Sequence, residues 1–136
     1  MRAKVLVALL CMGLFPFLGS CEVALECREI PPGSPLRKQL FELARPSVQK
    51  LAGHPVKFRG SLRESGAWAF FLGEVVDPGE RPIAHPESGS SDACVLWKKE
   101  KVGWLLVDFG YGFTDVFYAA WPDRHGAPAN LLGLAK

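Results

Sequence analysis

From Val56 to Val76 the chain reverses on itself, and this reversal constrains its fold more than any other stretch. Val56, Phe58 and Leu62 alternate with Lys57, Arg59, Ser61 and Arg63, the two-residue period of a strand with one wet face. Glu64-Ser65-Gly66 supplies a turn. Residues 67–76 return as a second strand, apolar on both faces through Trp68, Phe70, Phe71 and Leu72. Such a strand belongs at the centre of a sheet, covered on both sides. Two more strands are predicted, at 93–98 and 104–109, with a turn at 99–103 between them. The Pro-, Gly- and Ser-rich residues 77–92 read as an irregular excursion, and Gly110-Tyr111-Gly112 ends the last strand.

A helix precedes this meander. Ser34 and Pro35 are a hydroxyl cap followed by a proline at the first helical position. Leu36, Leu40, Leu43, Ala44, Val48 and Leu51 then recur at three- to four-residue steps and mark a buried stripe. Arg37, Lys38, Glu42 and Lys50 take the opposite side. Pro46 predicts a kink near Arg45 or two abutting segments, and Gly53 a left-handed stop. After the strands, Thr114 is expected to open a short helix through Trp121, with Pro122 ending it and Leu131-Leu132 packing back on the domain. The fold class is therefore α+β, an N-terminal helix on a curved four-stranded antiparallel sheet with a short C-terminal helix. The order of elements resembles the cystatin-like and nuclear-transport-factor-like cone folds.

The first 21 residues concern destination. Arg2 and Lys4 precede an apolar run from Val5 to Leu18, which ends in Leu18-Gly19-Ser20-Cys21. A basic start, a short apolar run and small residues describe a secretory signal, and the run is shorter than the roughly 20 apolar residues that span a bilayer. Leu18-Gly19-Ser20-Cys21 resembles the lipobox of bacterial lipoproteins, in which the cysteine is acylated and becomes the first mature residue. The expected organisation is residues 1–20 as signal peptide, 21–34 as lipidated N-terminus and tether, and 35–136 as one domain. Glu22 rather than Asp after the cysteine favours the outer over the inner membrane, by resemblance to lipoprotein sorting signals.

Charge follows from the same division. The formal net charge of +2 rests on Arg2 and Lys4, so the mature chain is neutral. It carries no basic footprint for nucleic acid and no polybasic run for anionic lipid. Cys11 leaves with the signal and Cys21 carries lipid, which leaves Cys27 and Cys94. In an exported chain these two are a candidate disulfide; the alternative is a buried free thiol at Cys94.

His54, His85 and His125 are far apart in sequence and none has a partner at metal-ligand spacing, so neither a metal nor another cofactor is expected. Asp108 stands between Val107 and Phe109 in an apolar strand, and Asp115 follows at the next helix start. Acid pairs can perform general acid–base work; the alternative is that Asp108 faces the polar side and Asp115 supports a helix end. Trp68, Trp97, Trp104, Trp121 and their Phe and Tyr neighbours either fill the core or wall an apolar pocket with Tyr111, Tyr118 and Trp121 at its mouth.

Several short motifs in order, Arg45-Pro46, Gly66-Ala67-Trp68-Ala69-Phe70, Val107-Asp108-Phe109, Thr114-Asp115-Val116, Trp121-Pro122 and Gly126-Ala127-Pro128, resemble a family of small exported proteins of Gram-negative bacteria. The resemblance implies export and carries over no functional residue. Two functions stay open. One is a non-enzymatic lipoprotein, anchored to the membrane by Cys21 and facing the periplasm, that binds an envelope protein or peptide. The other is a small-molecule carrier or enzyme whose apolar pocket uses Asp108, Tyr111, Tyr118 and Trp121.

Overall fold

The computed structural model describes residues 26–134; the signal sequence and Cys21 lie outside the described residues. Five strands form one antiparallel sheet in chain order: β1 (Arg28–Glu29), β2 (Lys57–Ser65), β3 (Trp68–Val76), β4 (Asp92–Glu100) and β5 (Gly103–Tyr111). Helix α1 (Pro35–Ala52) precedes β2, and a 3₁₀ turn (Phe117–Ala120) runs into α2 (Trp121–His125). The α+β class is as the patterning predicts.

The fifth strand is the first difference. Arg28 and Glu29 pair with Glu64 and Arg63 of β2, and the amide of Ile30 donates to the Leu62 carbonyl at 2.8 Å. Ile30 is buried in the main core. The segment expected as tether thus joins the sheet, because one large apolar side chain among its charges and prolines finds a place under the helix.

α1 forms as the capping signals require. The Ser34 hydroxyl accepts from the amides of Leu36 and Arg37 at 3.1 and 3.4 Å, and Gly53 closes the helix at φ 75°. It runs unbroken through Pro46. That proline is exposed, so the carbonyl left without its amide can turn to water. Leu40, Phe41, Ala44, Val48 and Ala52 are the buried stripe, whereas Leu43 and Leu51 are exposed.

The stripe packs on the sheet face bearing Phe71, Val75, Val95 and Trp97. Phe41 lies at its centre, 4.8 Å from the Phe58 ring and 5.4 Å, edge-on, from Phe71. Alternation sends Phe70, Cys94 and Leu96 to the opposite face, where Tyr118, Trp121, Ala127, Leu131 and Leu132 cover them. The C-terminal segment is thus a third layer, and β3 is central and buried on both sides, as its composition predicts. Burying each such large apolar side chain contributes roughly 1.5–3 kcal/mol.

Prolines and glycines place this third layer. Pro122 does not end a helix; it stands in the first turn of α2, where its missing amide costs nothing. The helical turn begins at Phe117 rather than Thr114. β5 continues past Gly110 to Tyr111, and a Cβ on Gly110 would overlap the Phe117 ring. Gly110 is therefore where that ring lies against the strand.

Candidate functional site

A bulge decides where Asp108 points. In the β4–β5 ladder Leu96 pairs with Asp108 and Trp97 with Leu106, so Val107 is the extra residue. Trp104 and Leu106 face α1 before the bulge, and Phe109 and Tyr111 face it afterwards. Strict alternation from Trp104 would have put Asp108 under the helix; the bulge turns it to the outer face. There Oδ1 accepts from the Phe109 amide at 2.8 Å and Oδ2 lies 2.8 Å from Nε2 of His125. His125 ends α2 and packs edge-on against Trp121. The pair orients an imidazole, and among the described residues no Ser, Thr or Cys hydroxyl or thiol bonds to its ring.

The other residues proposed with Asp108 are not gathered into one pocket. Tyr111 lies on the helix side, its hydroxyl donating to the Ile83 carbonyl at 2.6 Å. Tyr118 and Trp121 lie on the outer side, in the layer that covers Phe70. The sheet separates them, because 118 and 121 follow the chain's crossing to the opposite face. Burial pushes both tyrosine hydroxyls above their usual range.

Of the two readings open for Cys27 and Cys94, a disulfide or a buried free thiol at Cys94, the structure has the second, with both cysteines free. Cys94 is fully buried in β4, and burial pushes its thiol up to about 12. The Cys27 thiol instead donates to the Asn130 backbone carbonyl at 3.6 Å and accepts from the Asn130 side-chain Nδ2 at 3.7 Å.

Two concavities stand out among the described residues. The outer groove, about 700 Å³, has Leu72 and the backbone of Gly60 and Gly73 as its floor, with Arg59, Glu74, Asp92 and Asp115 around it. Its one cation is engaged: Arg59 bonds Glu74 at 2.9 Å and reaches Glu80. Arg59 and the Ser91 hydroxyl hold the Glu74 carboxyl below its usual range. Asp115 thus borders this groove, and Asp108 does not.

The second is a cleft of about 530 Å³ between α1 and β2. Phe41 and Phe58 form its apolar floor, and Arg37, Lys38, Arg45 and Lys57 its rim. Arg37, Phe41 and Arg45 occupy one helix stripe at four-residue steps. Both arginines reach the edge of β2 beyond the short β1. Arg37 donates to the Ile30 and Gly60 carbonyls at 3.0 and 3.2 Å, and Arg45 to the Val56 carbonyl at 3.1 Å. They thereby blunt an edge strand that would otherwise present its carbonyls. Each guanidinium also lies over a ring, Arg37 over Phe41 at 5.1 Å and Arg45 over Phe58 at 6.0 Å. Hydrophobic patterning alone misses this cleft, since it assigns Arg37 and Lys38 to solvent. The Arg-x₃-Phe-x₃-Arg spacing is the signal that could have found it.

Among the described residues no group of three or more His, Cys, Asp or Glu could hold a metal ion, and no helix is long and apolar enough to cross a membrane. No family model matches the chain, and neither a curated protein nor a solved structure matches it.

Proposed function

We propose that the chain is an exported lipoprotein, acylated on Cys21, whose folded domain is a non-enzymatic binding module at a membrane surface facing the periplasm. The observation that carries this reading is the apolar run ending in Leu18-Gly19-Ser20-Cys21. β1 begins seven residues after Cys21, a stretch that spans at most about 25 Å when fully extended. A lipid on Cys21 would therefore keep the domain close to the bilayer. The finer reading of the fold is a cone-like sheet curving around α1. Gly60 and Gly73, opposite each other on the helix side, support it: a Cβ on either would fall within 2.7 Å of its partner's Cα. The carrier or enzyme built on Asp108 loses support, because the sheet divides its residues.

Cys21→Ser tests the anchor. Buried acyl chains contribute about 0.8 kcal/mol per methylene, so the wild-type protein should survive high-salt washing of membranes and leave only in detergent. The variant should incorporate no labelled fatty acid, and should either keep its signal or appear as a soluble exported form. Equal labelling and equal detergent partitioning in the variant would overturn the lipoprotein reading.

A further inference from the structure

We propose that the cleft between α1 and β2 is a binding site for a small amphipathic anion, an apolar ring-sized body carrying one carboxylate. This deepens the reading of the domain as a binding module and is independent of the Cys21 anchor. Four cations line the cleft and no acidic side chain does. Two of them are neutralised from outside it, Arg45 by Glu42 at 2.6 Å and Lys57 by Glu80 at 2.6 Å. The other two are not. Arg37 spends its hydrogen bonds on backbone carbonyls, and Lys38 has no carboxylate partner among the described residues. Two uncompensated charges thus stand beside a low-dielectric aromatic floor, an arrangement that concentrates field on an incoming anion.

The floor selects the rest of the ligand. Phe41 and Phe58 stack at 4.8 Å and 30°, and Phe58 is only half-buried, leaving ring surface for a flat apolar body to cover. The volume suits a compact ligand. The first helical amides are not on offer, since the Ser34 hydroxyl already accepts from Leu36 and Arg37. Recognition therefore rests on the side chains: exposed Lys38 as the cation that meets the carboxylate, Arg37 as one held by backbone carbonyls, and the rings as the platform.

Fluorescence titration with 2-naphthoate tests the site on the full chain in phosphatidylcholine nanodiscs, with empty discs subtracted. Binding should saturate, and neutral 2-naphthamide should bind about tenfold more weakly, the scale of one charge-assisted hydrogen bond. Lys38 is exposed, so Lys38→Glu keeps the fold and should lower naphthoate affinity about tenfold or more. Lys101→Glu, in the distant β4–β5 turn, changes net charge equally and should leave affinity unchanged. Equal weakening by both variants, or equal affinity for naphthoate and naphthamide, would overturn the proposal. Binding that survives unchanged in phosphatidylglycerol discs supports a free anion. Loss of binding only there would give the cleft to a lipid headgroup and overturn the free-ligand reading. Fatty-acid labelling at Cys21 reads the anchor separately, so failure of one does not disguise failure of the other.

Discussion

Cys94 illustrates how one side chain's meaning depends on its surroundings. Its thiol lies wholly inside the outer layer, and burial raises its pKa from 9.0 to about 12. The folded chain therefore keeps a proton that the unfolded chain releases. The stability linked to this proton is fully present below about pH 9 and is lost as pH rises toward 12. Tyr111 and Tyr118, also shifted upward by burial, act in the same direction. Urea midpoints measured across this alkaline range should fall for the wild type and fall less for Cys94→Ala, although the variant starts lower. Because the thiolate is the nucleophile, iodoacetamide should label half-exposed Cys27 in the native protein and Cys94 only after unfolding; prompt native labelling of Cys94 would contradict its burial. In sequence, Cys94 reads equally as half of a disulfide or as a core thiol. Asp108 is ambiguous in the same way, since one unforeseen bulge residue reverses the face it occupies.

Among the elements, α1 was the most legible. Ser34, Pro35 and Gly53 bound it as local backbone chemistry requires. Ser34→Ala should destabilise the domain by about 1 kcal/mol, read as a lower urea midpoint with an unchanged m-value. Ser34→Gly should cost only a few tenths of a kcal/mol. The cleft was partly legible at this scale. Arg37, Phe41 and Arg45 share a helix stripe by their spacing alone, but hydrophobic patterning sets such arginines aside as solvated. Their partners are the Val56 and Gly60 carbonyls of a strand edge, and that edge is free only because β1 is two residues long. Proline was least reliable as punctuation: Pro46 lies within a continuous helix and Pro122 begins one.

At the scale of the molecule, the sheet is stable only if both faces are covered, and the two covers come from opposite ends of the described chain. Leu131 and Leu132 seal the outer layer, and the Arg63 guanidinium donates to the Leu131 carbonyl, tying the C-terminal segment to β2. Leu131→Ala should therefore cost about 2–5 kcal/mol, measured by urea unfolding, and should raise binding of an apolar dye as Phe70 and Leu96 lose their cover. An unchanged midpoint would show that the segment is not part of the cooperative core. Local pattern along the chain is enough to specify the α+β class, the helix with its caps, the meander of β2 to β5 and the burial of β3 on both faces. Each of these follows from backbone sterics and side-chain periodicity within a few neighbouring residues. Long-range packing, by contrast, brings Ile30 and β1 into the sheet, aims Asp108 at His125 through the bulge, sets Tyr111 and Tyr118 on opposite faces, and gathers four cations over Phe41 and Phe58. Those outcomes depend on pairing register and on what packs across the sheet. They are contacts between residues distant in sequence, to which local periodicity is blind.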